Sequence, residues 1–152
     1  MDDTPHSELY LGDWRDHWWD ADSLRAWLER DGLLDAVDVA DVGAGLGHWG
    51  LLIWRLLGGE RRMRFVERDP RWVGGLAPRA QAALAEGRVR GGFELCVADA
   101  AALPFEAASL DLVTCQTLLI HLDDPRVALR EMRRVLRPGG RVLISEPNNL
   151  GN

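Results

Sequence analysis

The chain has 152 residues, 47% of them hydrophobic and 28% charged, with a formal net charge of −6. That length suits one domain with one core; the apolar share excludes wholesale disorder, and the acidic balance argues against a general nucleic-acid-binding surface. All 18 basic residues are arginine, which excludes any chemistry that needs a lysine, Schiff bases and the P-loop included.

Cys96 and Cys115 each lie inside an apolar stretch and read as small buried hydrophobes in a reducing compartment. The start, Met1-Asp2-Asp3-Thr4, is acidic and lacks the basic-then-apolar layout of a signal peptide. The most apolar run, Gly50 to Gly59, is broken by Arg55 and is too short to cross a bilayer. A cytoplasmic protein that binds neither membrane nor nucleic acid is the expectation.

After a loose lead-in over residues 1–12, Asp22-Ser23 predicts the cap of a helix reaching about Arg30, with Leu24, Trp27 and Leu28 on its apolar side. Val37 to Val42 reads as the first strand. The glycine turn Gly43-Ala44-Gly45-Leu46-Gly47 follows, then a helix from about His48 to Leu57. Met63 to Glu67 is the second strand. A helical region from Pro70 to about Glu86 is expected to break and restart at Pro78. Phe93 to Val97 and Leu110 to Cys115 are the third and fourth strands. Pro125 opens an amphipathic helix through Leu136, with Val127, Leu129, Met132, Val135 and Leu136 apolar. Arg137-Pro138-Gly139-Gly140 predicts a stop and turn before a fifth strand, Arg141 to Glu146. Strands alternating with helices predict a parallel α/β sheet.

A strand, glycine turn and helix in succession let backbone approach a ligand and present free N–H groups at a helix start. The spacing is Gly43-x-Gly45-x-Gly47, with His48 where a dinucleotide fingerprint would carry its third glycine, so a dinucleotide oxidoreductase is disfavoured. Asp41, two residues before the first glycine, would repel a pyrophosphate and suits a cationic ligand. Glu67 closes the second strand, where a carboxylate can accept from both ribose hydroxyls. Asp99 follows the third strand and could accept from an exocyclic amine. Together these imply a positively charged, nucleoside-bearing ligand across the carboxyl ends of the strands.

With these residues the sequence resembles the class I S-adenosylmethionine-dependent methyltransferases, in particular their UbiE-like small-molecule branch. The resemblance runs over about residues 37–147, through Asp41 to Gly47, Phe65 to Pro70, Val97 to Phe105, Leu110 to Val113, His121, and Leu129 to Gly140. It implies methyl transfer to a small-molecule acceptor by in-line displacement, with S-adenosyl-L-methionine as cofactor and S-adenosyl-L-homocysteine as product. Gly43, Ala44 and Gly45, with Gly47 completing the turn, would meet the methionine portion, and Asp41 its charged amino-acid end. Glu67 would hold the ribose with Arg68 beside the adenine, and Asp99 and Ala100 would contact the adenine. Gln116 and Thr117 would line the floor near the sulfonium. His121 is the candidate catalytic base, needed only for a hydroxyl or acidic carbon acceptor.

The implied fold is α/β, a Rossmann-like doubly wound parallel sheet of five strands in the order 3-2-1-4-5, without the C-terminal hairpin usual in the class. Residues 1–36 would form an N-terminal helical cap segment, and residues 37–152 the S-adenosylmethionine-binding domain. The fifth-strand edge of Val142, Leu143 and Ile144 would be covered by a second copy of the chain or by a partner chain. A non-catalytic cofactor-binding subunit needing such a partner is the alternative to an enzyme.

Other features carry plainer readings. His6, His17 and His48 lack metal-ligand spacing, and no metal site is expected. Trp14, Trp18 and Trp19 either bury one face of an N-terminal helix or stack on the cofactor. Trp49, Trp54 and Trp72 read as helix packing. The Arg130, Arg133, Arg134, Arg137 stripe reads as a solvated helix face.

Overall fold

The computed structural model describes residues 13–147; the expected lead-in, His6 and the tail beyond Pro147 lie outside them. A 3-10 helix at Asp13–His17 precedes α1 (Ala21–Arg30). Asp20, rather than Asp22, caps α1, its side chain accepting the Asp22 and Ser23 amides that the helix start would otherwise leave open. There follow β1 (Asp38–Val42), α2 (His48–Leu57), β2 (Glu60–Glu67), α3 (Pro70–Ala85), β3 (Arg90–Val97), β4 (Leu110–Gln116), α4 (Pro125–Val135) and β5 (Leu136–Ser145). The strands form one sheet in the order β3-β2-β1-β4-β5 with every neighbouring pair parallel, as the sequence led us to expect.

Every residue of β1 is buried, because helices cover both faces of a parallel sheet. Val39 joins the core beneath α1, α2 and α3, with Leu28, Ile53, Trp54, Phe65 and Leu76. Ala40 and Val42 join the opposite core, with Val113, Cys115, Ala128, Met132 and Val135. Cys115 is buried and Cys96 half-buried, both as free thiols; burial pushes the Cys115 thiol up to about 12.

Three local expectations change. α3 runs unbroken, with Pro78 inside it. Pro78 and Gly74, whose carbonyl it leaves without an i+4 donor, are both exposed, so water can serve that carbonyl. The stretch Arg137 to Gly140 lies inside β5 as a register shift: Leu110 pairs with Leu136, but Leu112 pairs with Arg141. The extra residues bulge from the ladder, with Gly139 at φ +84°. On α4, Ala128 joins Met132 and Val135 in the buried stripe, whereas Leu129, one step further round the helix, is exposed.

At the amino ends of the strands, Asp38 is only 2% exposed and is held by three arginines. Arg62 reaches it at 2.6 and 2.7 Å, Arg137 at 3.0 Å and Arg64 at 3.1 Å. Arg62 above all holds the Asp38 carboxyl well below the usual range, against the opposing effect of burial. Arg137 also meets Asp111 at 2.6 Å, and Asp111 accepts the Val37 and Asp38 amides. Arg137 is thus a link between strands and not part of a solvated helix face.

Candidate functional site

β1 lies between β2 and β4, so the direction of chain crossover reverses beside it; open α/β sheets bind ligands at the carboxyl ends of strands at such a switch. The segments after β1, β2, β3 and β4 therefore gather at one end of the sheet. The strand ends and these segments carry Gly43–Gly47, Glu67–Asp69, Ala98–Ala100 and Gln116–Thr117 respectively, with predicted site residues in each; Asp41 lies within β1 and His121 further along the chain.

The glycine turn is held by its own amides. Gly43 and Ala44 both donate to the Val66 carbonyl, at 2.8 and 3.0 Å, and Gly47 donates to Ala44 at 2.8 Å. Gly45 donates to Oε2 of Glu67 at 2.9 Å, while Oε1 of Glu67 accepts the Asp69 amide at 3.1 Å. The acid that ends β2 therefore stitches the turn after β1 to its own loop. Gly45 sits at φ +54°, and a Cβ there would meet nothing within 4 Å. Its outer side is open, in contrast to Gly43, Gly47 and Gly50, where a Cβ would strike Leu118, Leu76 and Asp41.

Asp41 is 1% exposed, and neither carboxylate oxygen has a hydrogen-bond partner meeting ordinary geometry. Burial pushes it well above the usual carboxylate range, and the Glu67 charge adds to this while the Gly50 amide opposes it. Asp99 is exposed, with Oδ1 accepting the Ala101 amide at 2.8 Å, and Ala100 beside it is buried. Val97, the last residue of β3 and the register partner of Glu67, leaves 57% of its surface exposed. Arg68 is exposed.

After β4, Gln116 and Thr117 are half-buried. Thr117 adopts φ +51° and donates to the Ser145 carbonyl at 2.8 Å. Arg15 reaches Gln116 Oε1 at 3.4 Å from the 3-10 helix, and its guanidinium lies 5.2 Å from the Trp18 ring centre. The neighbouring Asp16 binds elsewhere: its Oδ1 is 2.8 Å from His48 Nδ1 and 3.2 Å from Arg79 Nη2. Residues 15–16 thus connect the end of β4 with the start of α2 and the second half of α3. Burial lowers the His48 pKa, while against the effect of burial the hydrogen bonds from His48 and Arg79 hold Asp16 low. Trp19 packs at 5.0 Å on Trp49, whose indole donates to buried Thr114 at 2.7 Å. The side chain of Trp14 lies outside the described residues.

His121 ends a short 3-10 helix, Leu119–His121, and is exposed. Among the described residues no group of His, Cys, Asp or Glu could hold a metal ion. Sequence reading did not single out Arg15, Asp16, Gly50, Leu118 or Glu146. Arg15, Asp16 and Leu118 carry no local signature, because their partners lie far along the chain, and Gly50 reads as one more glycine of an apolar helix; Glu146, just past a strand that closes one edge of the cleft, could have been suspected from its position.

Residues 40–144 match a family described as the methyltransferase domain. Over 125 residues the chain is 30% identical to the ubiquinone/menaquinone biosynthesis C-methyltransferase UbiE of Cellvibrio japonicus, covering 80% of this chain and 49% of that protein. It is 36% identical over 108 residues to Methyltransferase GfsG of Streptomyces halstedii, covering 71% and 37%. In fold it is similar to a SAM-dependent methyltransferase from Aquifex aeolicus, at TM-score 0.72 and 18% identity over 95% of this chain and 75% of the other. The chain spans about half or less of the length of the curated relatives it matches. A five-stranded parallel sheet with its glycine turn at the switch point is the frame of the class I S-adenosylmethionine-dependent methyltransferases. The chain belongs to that class, within the methyltransferase domain family.

Proposed function

We propose that this chain binds S-adenosylmethionine across the carboxyl ends of β1 to β4, and that the protein transfers the cofactor's methyl group to a small-molecule acceptor in the cytoplasm. The observation that carries the reading is the Gly45–Glu67 pair: a turn whose outer side is open, fixed by a carboxylate that keeps further lone pairs for hydroxyl donors. The residues present fit the cofactor. Gly43, Ala44 and Gly45 would take its methionine portion, with Gly47 completing the turn and Asp41 below. Glu67 would take the ribose; Arg68, Asp99 and Ala100 would take the adenine, and Gln116 and Thr117 the region around the sulfur.

When bound, the cofactor supplies a methyl group on a positively charged sulfur. Held by these residues, it would offer that carbon to an acceptor's lone pair, with the carbon–sulfur pair returning to sulfur. The protein's task is then chiefly alignment and exclusion of water, which in well-oriented systems contribute about 7–11 kcal/mol. His121 would take the proton when the acceptor is a hydroxyl or an acidic carbon. The small-molecule reading is supported by the quinone C-methyltransferase relatives. The expected test result is calorimetric binding of S-adenosylhomocysteine and none of NAD. Selective NAD binding would overturn the proposal, and binding without turnover of any offered acceptor would favour a cofactor-binding subunit.

A further inference from the structure

The loop after β4 is held in an unfavourable shape by a residue to which no role has yet been given. Thr117 is β-branched, yet its φ of +51° lies in the left-handed region, which such residues occupy only when their surroundings force them. The next two amides, Leu118 and Leu119, both donate to Oε1 of Glu146, at 2.9 Å each. Glu146 follows the end of β5 and reaches back under the loop from a half-buried position. Its Oε2 is buried without a hydrogen-bond partner. The loop in turn abuts the glycine turn, since a Cβ on Gly43 would lie 2.8 Å from Leu118 Cδ1. The path from Glu146 through Leu118 to Gly43 is therefore continuous.

We propose that Glu146 is a positioning residue for the methyl-transfer site. By accepting the Leu118 and Leu119 amides it keeps Thr117 in its strained conformation and Leu118 against the glycine turn. It thereby fixes the wall of the cleft that faces the cofactor's methionine portion. This role rests on the cofactor reading above. It requires an acceptor oxygen and no negative charge, so an amide side chain can replace the carboxylate.

The test compares Glu146→Ala and Glu146→Gln with the wild type in calorimetric titration with S-adenosylhomocysteine, after circular dichroism has shown each variant to be folded. Glu146→Ala should weaken binding by about tenfold or more, and Glu146→Gln should stay within about threefold. Wild-type affinity in Glu146→Ala, or equal losses in both variants, would overturn the proposal. Amide hydrogen exchange at Leu118 and Leu119 in the ligand-free proteins supplies an independent readout, with faster exchange expected in Glu146→Ala and rescue in Glu146→Gln. If the wild type binds no S-adenosylhomocysteine, the cofactor reading fails, and unchanged exchange in Glu146→Ala would separately refute the loop's dependence on Glu146. Should Glu146→Ala not fold, Glu146→Asp, one methylene shorter, takes its place with the same expectations.

Discussion

In Glu67→Ala the Gly45 amide loses an acceptor at 2.9 Å and the Asp69 amide one at 3.1 Å. A hydrogen bond to a charged group contributes about 1.5–3 kcal/mol. Glu67 is half-buried, so solvent competition reduces each bond to about 1 kcal/mol, or about 2 kcal/mol for the pair. If the loosened turn must be re-ordered when the cofactor binds, that alone weakens binding by about 30-fold. Loss of an acceptor for the ribose hydroxyls adds to it, and the total loss should be at least about tenfold even if re-ordering is incomplete. Glu67→Gln keeps one acceptor oxygen and should fall between the alanine variant and the wild type. The assay is calorimetric titration with S-adenosylhomocysteine, paired with thermal melting, where 2 kcal/mol corresponds to a drop of about 4–8 °C. Wild-type affinity in Glu67→Ala would refute the site. If it came with the lowered melting temperature, the carboxylate would be shown to build the turn without meeting the ligand.

Asp99→Ala should weaken S-adenosylhomocysteine by about tenfold or more while leaving the melting temperature near wild type; an unchanged dissociation constant would remove Asp99 from the adenine site. Gly50→Ala would drive a methyl group into the Asp41 carboxylate and to 2.6 Å from Phe65 Cε1, costing about 1–3 kcal/mol in denaturant unfolding, and a neutral result would contradict the close approach of α2 to β1. Asp38→Asn removes the carboxylate that Arg62, Arg64 and Arg137 share, although Arg137 keeps Asp111 and Arg64 keeps Glu94, and with the arginines partly exposed it should cost about 1–2 kcal/mol at pH 7. Because the folded-state pKa of Asp38 is depressed, its contribution is present above about pH 4 and lost as pH falls below that. The difference between variant and wild type should therefore shrink in acid, and a constant difference would speak against the ion cluster. Asp41 has the opposite sign: its raised folded-state pKa favours folding at low pH and loses that contribution as pH rises. Asp41→Asn should thus gain stability relative to wild type from pH 5 to pH 8 in urea unfolding, and a pH-independent difference would mean that the buried carboxyl does not titrate as its surroundings dictate.

The α/β class, the parallel sheet and the identity of the glycine turn were legible because each depends on local pattern. Val37 to Val42 is a strand-length, valine-rich stretch before glycines, and helix α2 opens and closes where His48 and Gly58 mark it. Glu67 and Asp99 stood out as candidates because one ends β2 and the other follows β3, strands whose carboxyl ends the topology brings together. The break expected at Pro78 and the turn expected over residues 137–140 failed for a common reason. Both rest on local propensity, and surrounding structure can override propensity by leaving a carbonyl open to water or by letting a strand bulge.

What the amino-acid order alone determined, then, is which segments become strands and helices and which strand ends carry glycine or carboxylate. Only tertiary structure decided how those ends support one another. The Glu67 carboxylate is spent partly on the Gly45 amide, and Asp41 is enclosed against Gly50 and Phe65. Arg15 and Asp16 bridge β4 to α2 and α3, and Glu146 reaches back to shape the loop beside Gly43. The hydrogen bonds among these join residues 22 to 101 positions apart. No periodicity or motif encodes such a distance, because a hydrogen bond depends on where two atoms meet in space and not on the chain between them.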